Sequence, residues 1–82
     1  MTSEKEFIRA ADFLERAFGN WVSNAMAVQK TYAPSGITRH YIALELLDGE
    51  RDIEICIDGM SLLGIVALAA QEIERKLREA VQ

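Results

Sequence analysis

The stretch TRHYIALELLDGERDIEICID, residues 38–58, decides the fold of this chain. Two runs of alternating apolar and polar residues flank Asp48-Gly49, a dipeptide favoured in tight hairpin turns because both central positions need positive φ. Side chains alternate faces along a strand, so parity tests the register. A two-residue turn sets Leu44 opposite Ile53, Ile42 opposite Ile55 and His40 opposite Ile57, all on one side of the sheet. A four-residue loop, Asp48 to Arg51, instead pairs Leu46 with Ile53, Leu44 with Ile55 and Ile42 with Ile57, and leaves these residues on that side. A three-residue loop would divide the apolar sets between the faces and is disfavoured. With either even loop the core face is Ile42, Leu44, Leu46, Ile53, Ile55 and Ile57.

The same stretch carries the charge. The 82 residues include 9 Lys+Arg and 13 Asp+Glu, a net charge of −4. Residues 1–34 hold four acids and four bases, and residues 59–82 hold three of each. Residues 35–58 hold six acids, Glu45, Asp48, Glu50, Asp52, Glu54 and Asp58, against Arg39 and Arg51. The whole excess therefore belongs to the hairpin. Parity turns Glu45, Asp52, Glu54 and Asp58 away from the core face, with Asp48 and Glu50 at the tip. In the two-residue register Glu45 faces Asp52, an arrangement that costs about a few tenths of a kcal/mol without helping the fold. Such carboxylates serve as the solvated side of a half-buried sheet, where charge discourages edge aggregation. A face of one sign on a small rigid hairpin also reads as a docking surface for a basic groove, with electrostatic steering speeding the encounter.

Outward from the hairpin, Ser3-Glu4-Lys5-Glu6 is a capping box that starts a helix at about residue 4. Its apolar stripe runs Phe7, Ala11, Leu14, Phe18 with Ile8 beside it, Asp12 to Arg16 is a supporting pair, and Gly19-Asn20 reads as a stop in which Gly takes the left-handed conformation. Trp21 to Tyr32 is ambiguous. Trp21, Ala25, Val28 and Tyr32 continue a helical spacing, while Val22, Thr31 and Tyr32 favour strand. The strand is preferred, paired through the turn Pro34-Ser35-Gly36, because a two-stranded ribbon is a poor platform for a core. After the turn Asp58-Gly59-Met60-Ser61, with two candidate caps, a helix runs to about residue 80. Its second half is amphipathic, with Ile73, Leu77 and Val81 inward. Its first half, Leu62 to Ala70, has no polar side. Either the N-terminal helix covers that surface, or Leu62, Ile65, Val66, Leu68 and Ala69 meet a second subunit. The expected class is α+β in one domain over residues 1–82: α-β-β-β-α, or α-α-β-β-α if residues 21–32 are helical.

Composition excludes several functions. A broad phosphate-binding or anionic-membrane surface needs clustered Lys and Arg, which an acidic chain lacks. The longest apolar run, Leu62 to Ala70, is nine residues, against about 20 for a membrane span. Charges through Met1 to Arg16 leave no signal-peptide core, so a cytoplasmic location is expected. Cys56 has no partner for a disulfide or a Cys-based zinc site. Carboxylates on a flat strand face do not converge on a metal.

An active site is not expected. Parity puts His40 on the core side and Cys56 on the outer side, and surrounding carboxylates disfavour a thiolate. There is no phosphate-cradling Gly loop, no nucleotide fingerprint and no Ser-based elbow. Trp21, Tyr32 and Tyr41 lack the basic surroundings of base-stacking residues. The expectation is a non-enzymatic, cofactor-free binding protein that presents its acidic hairpin to a basic groove on a larger protein, with no direct nucleic-acid or membrane partner. An inhibitor that mimics nucleic acid against a phage-defence complex of the CRISPR type is one member of that class. The alternative is a homodimer or other assembly held through the start of the C-terminal helix.

Overall fold

The computed structural model describes residues 4–47 and 52–81. The order is α1 (Glu4–Ala17), β1 (Val22–Tyr32), β2 (Ile37–Leu46), β3 (Asp52–Cys56) and α2 (Leu62–Val81), with the three strands antiparallel in the order β1-β2-β3. This is the α-β-β-β-α arrangement. Ser3 of the capping box and the hairpin tip, Asp48, Gly49, Glu50 and Arg51, lie outside the described residues, as does the side chain of Val81.

The hairpin takes the two-residue register, with Leu44 opposite Ile53, Ile42 opposite Ile55 and Glu45 opposite Asp52. All six residues of the expected core face are buried. Ile42, Leu44 and Ile57 are fully so, each contributing about 1.5–3 kcal/mol relative to exposure.

Residues 22–32 are strand, with a β-bulge near its start. Val22 pairs with Leu46, Asn24 with Glu45 and Ala25 with Leu44, so Ser23 is the extra residue, its Oγ donating to the Glu45 carbonyl at 3.2 Å. The extra residue shifts parity. Val22 and Ala25, three apart, both turn toward the core, Val22 buried and Ala25 packed against the buried cluster. The residues at helical spacing do not share a face: Ala25 turns to the core, Val28 and Tyr32 to the other side.

Both helices cover the same side of the sheet. α1 packs chiefly on β1 and buries Phe7, Ala10, Ala11 and Leu14, while Ile8 points outward. It ends near Gly19 as expected, but Gly19 has no positive φ; the chain turns instead through two hydrogen bonds, donated by the backbone N–H groups of Trp21 and Val22 to the Phe18 carbonyl. The four-residue turn 33–36 joins β1 to β2, with Gly36 at φ 73° and a cis Ala33–Pro34 bond. Gly59, at φ 74°, shapes the turn closed by Met60 N–H to the Ile57 carbonyl at 3.1 Å. Of the two candidate caps, Ser61 caps α2, its Oγ accepting from Gly64 N–H at 3.1 Å. α2 then buries Ile65, Ala69 and Ile73 against the sheet. Among the described residues no helix is long and apolar enough to cross a membrane.

Candidate interaction surface

With both helices on one side, the other face of the sheet is uncovered. Strand parity and pairing place on it Asn24, Met26, Val28, Lys30 and Tyr32 from β1, Ile37, Arg39, Tyr41, Ala43 and Glu45 from β2, and Asp52, Glu54 and Cys56 from β3. Three of the chain's exposed large apolar side chains are here: Met26 (50% exposed), Ile37 (49%) and Tyr32 (45%).

The expected acidic set does not act as one group. Glu45, Asp52 and Glu54 are on this open face and exposed, while Asp48 and Glu50 lie outside the described residues. Glu54 is neutralised by an ion pair with Lys30, which reaches across β2 with its ammonium 4.8 Å above the Tyr41 ring. That bond to Glu54 raises the Lys30 pKa. Lys30 belongs to a segment of zero net charge, and only the β1–β2 pairing brings it to the hairpin. The face is therefore not of one sign.

Asp58 is a second correction. The strand ends at Cys56 and the Gly59 turn swings Asp58 back, so strand parity does not apply to it. Its Oδ2 accepts from the backbone N–H of His40 at 2.9 Å, extending the β2–β3 ladder with a side chain, and its Oδ1 lies 2.8 Å from His40 Nδ1. The backbone bond, then the ring bond, hold the Asp58 carboxyl below the usual carboxylate range. The His40 ring in turn stands edge-on to Phe7, with centroids 5.0 Å apart. His40 is thus a partly buried, hydrogen-bonded ring that ties the sheet to α1. Cys56 is free and exposed; its Sγ donates weakly to Asp58 Oδ2 at 3.8 Å.

What remains is a polarised face. At the end near the hairpin tip, Glu45 and Asp52 stand directly opposite each other, and neither has an ion-pair partner among the described residues. At the far end Arg39 is likewise without one among the described residues, beside Lys30 and the Tyr32–Tyr41 hydroxyl pair at 2.9 Å. That bond from Tyr32, ahead of desolvation, pushes the Tyr41 phenol up to about 12. Met26, Val28, Tyr41 and Ala43 form a weakly polar band between the two ends.

The surface expected at the start of α2 is divided as well. Ile65 and Ala69 belong to the chain's own core and offer nothing to a second subunit. Leu62 is exposed, Val66 and Leu68 are partly buried, and Leu63, absent from the expected set, is 82% exposed. α1 covers only part of this region: a groove lined by Phe13, Ala10, Met60, Leu62 and Ile65 lies between the helices.

Lys30, Arg39 and the band from Met26 to Ala43 were missed by counting charge along the chain. Arg39 shares parity with Glu45, which would have found it. The β1 residues required a decision on residues 21–32 and the bulge within them. Among the described residues no group of His, Cys, Asp and Glu is placed to hold a metal ion. Comparison with known proteins gave no matching family model, no matching curated sequence and no matching solved structure.

Proposed function

We propose that the chain is a non-enzymatic protein-binding module that works through the open face of its sheet, with Glu45 and Asp52 docking on a basic site of a larger protein. The observation that carries this reading is the Glu45–Asp52 pair: two exposed like charges directly opposite each other, without a counter-charge among the described residues. Like charges so placed weaken a sheet, so the pair is better explained by what it meets than by what it holds together. The apolar side chains beside it supply area that charge alone lacks. The narrower form, an inhibitor that occupies the nucleic-acid groove of a phage-defence complex, has less support. With Glu54 paired to Lys30 and Asp58 bonded to His40, the row of carboxylates that would imitate phosphates is shortened to two among the described residues.

The test is affinity capture from the native host with wild-type bait and with Glu45→Lys/Asp52→Lys bait. A basic protein retained by wild type at low salt, released at high salt and absent from the variant is expected. Equal capture by both baits would overturn the reading. A second reading, assembly through the start of α2, is favoured by the 82% exposure of Leu63 beside the apolar groove. Leu63→Asp should then abolish self-association while leaving the fold intact, because this side chain is not in the core.

A further inference from the structure

The open face is self-complementary. Arg39 and Glu45 are six residues apart on one strand, about 20 Å at 3.4 Å per residue, too far for an ion pair within the chain. Each is exposed and unpaired among the described residues. Between them the exposed apolar side chain Met26 and the partly buried Val28 and Tyr41 have no helix above them. We infer that this face packs against the same face of a second copy of the chain, with the strands of the two sheets running in opposite senses, so that Arg39 of each copy meets Glu45 and Asp52 of the other.

The orientation follows from charge. Two identical faces can be related by a two-fold axis lying in the interface, either along the strands or across them. An axis along the strands brings acidic end to acidic end and basic to basic. An axis across the strands, level with Ile42, brings each acidic end over a basic one and stacks the apolar bands at the centre. Aligned sheet packing accommodates this, with facing sheets about 10 Å apart and their side chains interdigitating. The size of the face sets the strength. Three strands about 4.8 Å apart and about eight residues long give roughly 400 Å² of projected area per copy, at the small end of specific interfaces. The dimer is therefore weak and dissociates on dilution.

This inference shares its surface with the proposed function and deepens it: the face that docks on a basic partner is the one the second copy covers, so the partner competes with self-association. The two are separable, because Arg39 matters to the dimer and has no role in attracting a basic partner. The experiment is sedimentation equilibrium on wild type, Arg39→Glu, Glu45→Lys/Asp52→Lys, and an equimolar mixture of the two variants, at low salt, with far-UV circular dichroism on each. Wild type should show a monomer–dimer equilibrium. Each variant alone should bring like charges together at both ends and raise Kd about tenfold or more. The mixture should regain dimer, since an acidic face then meets a basic one at both ends; this recovery separates lost recognition from lost folding. A monomeric wild type at the highest soluble concentration would overturn the inference, as would a dimer indifferent to both charge variants and abolished by Leu63→Asp.

Discussion

The two faces of the sheet follow different rules. On the covered face the hairpin's alternate residues are the partly buried Thr38 and His40 followed by six branched aliphatics, Ile42, Leu44, Leu46, Ile53, Ile55 and Ile57, all six buried. No buried side-chain polar atom is left without a partner among the described residues, so that side is settled within the chain. On the open face, aromatic, apolar and charged residues are mixed, one ion pair is closed, and the unpaired charges are sorted by sign to opposite ends. The covered face answers to stability, and the open face holds interactions the chain leaves incomplete. The proposed function rests on the face whose residues the fold does not need.

Substitutions should separate the faces most widely in stability. Leu44→Ala removes a fully buried side chain and should cost about 2–5 kcal/mol by urea unfolding. Met26→Ala on the open face should change stability by about 0.5 kcal/mol or less while weakening any complex formed there. Comparable losses at both sites would break the contrast. The junction between the faces should respond to acid. The Asp58 carboxyl is held below its unfolded value by His40, so the stability it contributes is fully present above about pH 4 and is lost as pH falls through the lower folded value. Asp58→Asn should be less stable than wild type at neutral pH, and the difference should shrink in acid; a constant difference would show that the carboxylate charge is irrelevant.

The acidic end should show the opposite sign. Glu45→Lys turns a like-charge pair into an attractive one and should raise stability by about 0.2–1 kcal/mol, while diminishing capture of a basic partner. A loss of stability would mean that Glu45 supports the fold. The smallest effect is on Tyr41, whose phenol is pushed up to about 12, chiefly by Tyr32. Tyr32→Phe should bring its titration, followed by phenolate absorbance, down toward the ordinary value near 10.

Much of the covered face was legible because it depends on parity alone. The core set and the two helices follow from local pattern, while parity allowed two even registers and two candidate caps, of which the structure takes the two-residue register and Ser61. The open face was legible only in part, since its composition depends on which strands meet. Lys30 lies in a segment with balanced charge and reaches Glu54 only through the β1–β2 pairing. The bulge at Ser23 reverses parity near the start of β1, so a strict strand pattern does not run through residues 21–32, whereas a helical spacing that the strand does not use does. Asp58 fits the strand pattern by spacing, but the strand ends at Cys56 and Asp58 already lies within the turn that Met60 N–H closes on the Ile57 carbonyl. At the start of α2 an apolar run with no polar side concealed which residues face in, and Ile65 and Ala69 proved to be core while Leu63 did not.

The central claim is that the uncovered face of the sheet, and not the helical side, is the surface this protein uses. Dilution of an isotope-labelled sample, followed residue by residue through its amide NMR signals, tests it most directly. The expected result is concentration-dependent shifts at Met26, Val28, Arg39, Tyr41, Ala43 and Glu45, with Phe13, Leu62 and Leu63 unchanged. An absence of shifts at any concentration would remove only the self-association, whereas shifts confined to Phe13, Leu62 and Leu63 would contradict the claim.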